Sequence, residues 1–250
     1  MQVGFIGAGN MARALARGWG DPVFCTDSGS GRAQALAQEL GGEAVASNKE
    51  LAERVDVVIL AHKPAQLRAV AEEVGDAATV VVSLLARTAQ ADLRAAYPSA
   101  TVFRVEPNTA VAVGAGVLAF AVPDAEVDAG THARVRELFA RVGTVVDVPE
   151  SLMGIAGACS GVGPAYWALL VEAHVEAAVR KGMPAALAGA LVTETMAGTA
   201  ALLRERGGDT LGVRREVTSP GGTTARGLAA LERGGVRAAM AAAMDDVVGA

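Results

Sequence analysis

Only two cysteines, Cys25 and Cys159, and three histidines occur in 250 residues, too few and too scattered for a metal cluster or a disulfide framework. Cys25 falls in a predicted strand, and buried free thiols are expected rather than a bridge. Lysine is scarce, three against nineteen arginines, and the 27 acidic residues outnumber the 22 basic ones. The resulting net charge of −5 and pI near 5.3 argue against a nucleic-acid partner. Long apolar runs are also missing: Ala110 to Val122, interrupted by Gly114 and Gly116, is too short to span a bilayer, so no transmembrane helix is expected. Met1 leads within one residue into a strand, leaving no room for a secretion signal, and a cytoplasmic location is expected. His132 and His174 lack partners at metal or triad spacing and read as structural. There is no low-complexity linker and no convincing repeat.

What is present is a change of period. Up to about residue 150, short β-rich runs alternate with helical segments, the pattern of a doubly wound, mostly parallel sheet. Strands are predicted at 2–6, 23–27, 43–46, 55–61, 79–85, 101–105 and 144–148, with 111–121 a strand or hairpin. From residue 151 the strand signal stops and a helical period carries 164–181, 184–205, 211–216, 223–233 and 236–248. These helices are rich in alanine, and a hundred residues of them make a thin core alone. A dinucleotide-binding domain over 1–150 and a helical substrate-binding and dimerisation domain over 151–250 are therefore expected, as a homodimer.

Two segments carry chemistry. Gly7-Ala8-Gly9-Asn10-Met11-Ala12 follows a buried strand and opens a helix, and Asp27 ends the next strand twenty residues after Gly7. That is the dinucleotide fingerprint: a tight turn, close approach to pyrophosphate, and an acid for the ribose hydroxyls. A nicotinamide cofactor is expected, NADPH or NADH, with NADH favoured because Asp27 would repel a 2′-phosphate; a flavin or a plain glycine turn shares the pattern. Near the other end, Ser219-Pro220-Gly221-Gly222-Thr223-Thr224 is a turn from which a helix departs. Its outward N–H groups suit a small carboxylate, although an ordinary helix cap reads the same way.

Together the two ends resemble the pyrroline-5-carboxylate reductase family. The motifs are Gly7-Ala8-Gly9-Asn10-Met11, Ala61-His62-Lys63-Pro64, Arg104-Val105-Glu106-Pro107-Asn108, Gly161-Val162-Gly163-Pro164-Ala165-Tyr166 and Ser219 to Thr224, in the family's order over nearly the whole length. The resemblance implies NAD(P)H-dependent reduction of a cyclic imine acid, 1-pyrroline-5-carboxylate, to L-proline. It implies that Thr224 hydrogen-bonds the ring nitrogen, supported by Thr223, while backbone N–H groups from Gly221 and Gly222 to Thr224 hold the carboxylate and Ser219 either adds a bond or only caps. On the cofactor side it implies Ala61, Lys63 and Pro64 beside the nicotinamide ribose and Asn48 at the adenosine ribose, where Asn48 also reads as a helix-opening residue. Asn108 reads either as a nicotinamide neighbour or as a turn residue after proline.

Four positions depart from the family pattern. His62, Arg87 and Glu106 replace valine, glycine and methionine at the carboxyl ends of three strands expected to be neighbours, and Val162 replaces serine. An unpaired buried Glu106 would be costly, so a pair with Arg87, with His62 beside it, is expected. These changes keep a reductase of a related cyclic imine acid open. A β-hydroxyacid dehydrogenase needs a lysine in the first helix after the sheet, and Gly163 to Arg180 has none. A non-catalytic nucleotide-sensing module would have had no reason to keep Ser219 to Thr224 intact.

Overall fold

A computed structural model describes residues 1–249 as two compact units, Met1–Pro164 and the chain from Ala165 onward. In the first unit, β1 (Val3–Ile6), β2 (Phe24–Thr26), β3 (Glu43–Ala44), β4 (Val57–Leu60), β5 (Val80–Ser83), β6 (Thr101–Pro107), β7 (Gly116–Ala121) and β8 (Gly143–Val148) form one sheet. Its order is 3-2-1-4-5-6-7-8, parallel except where β7 runs against β6. Helices α1 (Asn10–Trp19), α2 (Arg32–Leu40), α3 (Asn48–Arg54), α4 (Leu67–Val74), α5 (Gln90–Ala96) and α6 (Ala129–Ala140) connect the strands.

Both faces of the sheet are covered, which is why its central strands read as continuous apolar runs. Side chains alternate between faces along each strand: Phe5, Val57 and Ile59 join one core with Leu15, Trp19 and Phe139, while Ile6, Val58 and Leu60 join the other with Leu51, Leu93 and Tyr97. Trp19 packs between Phe5 and Phe139 and donates its indole N–H to the Leu138 carbonyl at 2.9 Å.

The structure corrects two expectations in and around this sheet. The segment 111–121 is not one strand: a 3-10 turn, Thr109–Val113, packs against α1, and β7 begins only at Gly116, after Gly114 has turned the chain at φ 70°. By its internal contacts the first compact unit runs on to Pro164. Within it, α7 (Met153–Ala156) and a π-helical turn, Gly157–Gly161, pack on β6 and β7, with Met153 and Ala158 buried. Finally, Cys159 is exposed; only Cys25 is buried, where desolvation pushes its thiol up to about 11.

The chain from Ala165 is helical throughout: most of α8 (Gly163–Arg180), then α9 (Ala185–Glu205), α10 (Thr210–Glu216), α11 (Thr223–Arg233) and α12 (Val236–Val248). The last two match their predicted limits. Little of it is buried, and Trp167, Leu169, Leu187, Leu191 and Met196 are exposed. Within this unit an apolar cavity of about 410 Å³ lies between α8 and α9. By length and composition, α9 and the continuous helical stretch Glu150–Arg180 would each suffice to cross a bilayer. This corrects the expectation that no segment is long and apolar enough: residues 151–171 are uncharged, and the Gly, Ser and Pro among them mask the run in the sequence.

Candidate active site

The turn after β1 is shaped for close backbone approach. Gly7 has φ +99° and donates its N–H to the Thr26 carbonyl at 3.0 Å. A Cβ on Gly7 would lie 2.7 Å from the Ala61 carbonyl carbon and oxygen and 2.8 Å from the His62 nitrogen, so no other residue fits against the end of β4. A Cβ on Gly9, by contrast, would meet nothing within 4 Å. Gly9 caps α1 without a side-chain bond, and the first N–H to return to the helix is that of Arg13, onto the Gly9 carbonyl. The N–H groups of Asn10 and Met11 are thus left for an anion at the positive end of the helix. Ala8 is buried and Met11 packs partly into the core, so both also serve the fold. These features fit a pyrophosphate. Gly7→Ala is expected to cost about 1–3 kcal/mol from forced φ and overpacking and to abolish dinucleotide binding. A variant that melts and titrates NADH like the wild type would contradict this close approach.

Asp27 ends β2 as expected, but its carboxylate is already engaged. Oδ1 accepts from the Gly29 N–H at 2.8 Å, and Oδ2 accepts from the Ser30 hydroxyl at 2.8 Å and the Ala33 N–H at 2.9 Å. Desolvation would raise its pKa, but the N–H groups of Ala33, Gly29 and Arg32 and the Ser30 hydroxyl outweigh it and hold the carboxyl below the usual range. Asp27 therefore stays charged and also caps α2. Asn48 is likewise committed: its Oδ1 accepts from Thr26 Oγ1 at 2.6 Å and its Nδ2 donates to Glu73 Oε2 at 2.5 Å, while the helix cap proper is Ser47.

Beyond β4, Ala61 donates its N–H to the Ile6 carbonyl, the exposed Lys63 opens a 3-10 turn, and Pro64 takes its first position, where a missing N–H does no harm. Asn108 is buried, and its Oδ1 accepts from the Val117 N–H at 3.2 Å, fastening the turn after β6 to β7.

The expected Arg87–Glu106 pair does not form. Glu106 instead takes its guanidinium from Arg104 two residues earlier, at 2.5 Å, and Arg104 also reaches Glu150 at 2.7 Å. Glu150 in turn accepts from the Gln90 N–H and Nε2 at 3.1 and 3.0 Å. The Glu106 carboxylate lies against the Cα of Gly157, where a Cβ would collide with it. This network fastens the segment leading to Gly163-Pro164 onto the sheet. The signal for it was in the sequence: an arginine inside a buried strand needs partners, and residues i and i+2 share a strand face. Arg87 is the one non-glycine residue with positive φ, 57°, among those described, in keeping with the family's glycine there.

In the helical unit, Ser219 to Gly222 form the turn before α11. Gly222 donates its N–H to the Ser219 carbonyl at 3.0 Å, Gly221 has φ +68°, and Gly222 caps α11 with no side-chain bond. The Ser219 hydroxyl is thus not the cap. The first backbone bond returning to the helix is Arg226 N–H to the Gly222 carbonyl, so N–H groups of Thr223 and Thr224 stay available for a carboxylate. Neither threonine hydroxyl has a hydrogen-bond partner among the described residues.

The family model for pyrroline-5-carboxylate reductase dimerisation matches residues 150–249, and one for coenzyme F420-dependent NADP oxidoreductases matches 2–87. The Synechocystis pyrroline-5-carboxylate reductase is 35% identical over 96% of this chain and 93% of its own. The solved Streptococcus pyogenes 1-pyrroline-5-carboxylate reductase has a TM-score of 0.88 at 29% identity, covering 99% of this chain and 96% of that one. The Plasmodium falciparum pyrroline carboxylate reductase with NADP bound gives 0.87 at 25%, covering 99% and 95%. Two matching domains and near-complete coverage agree: this chain belongs to the pyrroline-5-carboxylate reductase family.

Proposed function

We propose that this chain reduces the C=N bond of 1-pyrroline-5-carboxylate to L-proline with NADH as the preferred hydride source, acting as a cytoplasmic homodimer. The observation that carries the site assignment is the uncapped start of α11 with the Thr223 and Thr224 hydroxyls uncommitted. Backbone N–H groups of Thr223 and Thr224 hold the substrate carboxylate, and the Thr224 hydroxyl hydrogen-bonds the ring nitrogen and fixes the tilt of the C=N bond. A nicotinamide bound there would supply the hydride for the ring carbon, the nitrogen keeping the proton it carries in the iminium form. An iminium is already electrophilic, so the protein's part is positioning rather than strong acid or base chemistry. Gly7 to Met11 would hold the pyrophosphate, and the loop Ala61 to Pro64 would border the nicotinamide half. Imine-dependent loss of NADH absorbance, with proline as product, tests the reading. Val162 and the partly buried Glu106 support one alternative, a homologous cyclic imine acid, in which case a six-membered imine substrate would turn over faster.

The NADH preference rests on Asp27, which stays ionised at the end of β2, where an acid in this fold would repel a 2′-phosphate. We expect kcat/KM to be higher with NADH than with NADPH in the unmodified protein, and Asp27→Ser to narrow the gap while weakening the α2 cap by about 1 kcal/mol. A clear NADPH preference would refute it. The dimer reading is supported by the dimerisation model and by the apolar side chains left exposed on α8 and α9.

A further inference from the structure

The imidazole of His62 sits at the carboxyl end of β4, its backbone against the Gly7 turn. Its Nδ1 lies 2.9 Å from the Lys63 carbonyl oxygen. A carbonyl only accepts, so Nδ1 carries the hydrogen and Nε2 presents a lone pair. Burial pushes the ring below the usual histidine range, against the opposing pull of that carbonyl, which keeps it neutral. Nε2 is itself buried and has no hydrogen-bond partner among the described residues. A buried acceptor without a donor is costly, and a valine here would avoid the cost. The family's pattern does carry valine, so the histidine needs a use.

Topology indicates the use. β4 borders β1 on the side away from β2, and strand order reverses between β1 and β4, the crevice where open parallel sheets hold dinucleotides. Asp27 marks the adenosine side, so the end of β4 belongs to the nicotinamide half. An acceptor cannot bond a phosphate oxygen; it needs a hydroxyl or amide donor. We propose that His62 Nε2 accepts a hydrogen bond from a hydroxyl of the nicotinamide-side ribose, making His62 a cofactor-binding residue. The inference rests on the nicotinamide cofactor of the function proposed above. Nε2 is covered in the free chain, so the loop at His62 and Lys63 must open slightly as the cofactor enters. Lys63 is exposed, and its N–H is held only by Gln66 Oε1 at 3.2 Å.

The test compares wild type and His62→Val for binding of NADH, ADP-ribose and ADP. ADP-ribose keeps the second ribose without nicotinamide; ADP lacks both. We expect NADH and ADP-ribose to bind His62→Val about 3–10-fold more weakly, the loss of one neutral hydrogen bond, with ADP unchanged. Unchanged NADH affinity, an equal loss for ADP, or a loss for NADH alone would each overturn the ribose assignment. Failure of wild type to bind NADH would instead remove the cofactor reading beneath it. A second measurement needs no variant: with only three histidines, ¹⁵N-histidine NMR should show one unprotonated Nε2 shift on adding ADP-ribose but not ADP. The absence of such a shift would also overturn the proposal.

Discussion

Replacing Thr224 by alanine is expected to lower kcat/KM for the imine by about one to two orders of magnitude while leaving NADH affinity nearly unchanged. The substitution deletes one oriented hydrogen bond to a ring nitrogen that is charged in the reactive form, worth about 1.5–3 kcal/mol, and each 1.4 kcal/mol is roughly a factor of ten in rate. The hydroxyl is free of other bonds among the described residues, so its loss should not disturb α11, which Gly222 caps through backbone alone. The carboxylate donors are backbone N–H groups and survive the change. A cyclic amino-acid inhibitor should therefore still bind the variant, somewhat less tightly. Thr224→Ser should restore most of the rate, since it keeps the hydroxyl. Full activity in Thr224→Ala would mean that the ring nitrogen is oriented by another group, and the assignment would fall.

The elements bearing these residues were legible in the sequence where local signals and tertiary demands agree. β4 reads as a buried parallel strand because Val57 to Leu60 are apolar without interruption, and both faces are covered. α11 begins at Thr223 because a Pro-Gly-Gly turn cannot be helical while the alanine-rich segment after it is. Residues 150–161 were not legible. Their Gly and Ser residues give weak helix propensity, and the short helix and π-helical turn there depend on Met153 packing against Ala119 and Ala121 of β7 and Glu150 finding Arg104 and Gln90. Asn48 and Asn108 show a related limit. Sequence placed both at the carboxyl edge of the sheet, but it could not show that their amides are engaged by Thr26, Glu73 and Val117.

Arg104→Leu is expected to be more destabilising than Gly7→Ala, Asp27→Ser or Thr224→Ala, by about 3 kcal/mol relative to wild type, because it leaves two partly buried carboxylates without their cation. The Arg104 side chain is 7% exposed and bridges Glu106, 16% exposed, to Glu150, 27% exposed. Glu150 retains Gln90 when the arginine is lost, but Glu106, pressed against Gly157, has no other ion pair among the described residues. Glu106→Met, which restores the family's residue, should cost far less, since Arg104 keeps Glu150. Once Arg104 is leucine, adding Glu106→Met should recover part of the loss, because removing a stranded charge is favourable. Chemical denaturation of the two single variants and the double variant measures this coupling. Arg87→Gly supplies the control: it should add to Glu106→Met within about 0.5 kcal/mol, as non-partners do. Wild-type stability in Arg104→Leu, or strong coupling between positions 87 and 106, would return Glu106 to the cross-strand partner that its sequence position first suggested.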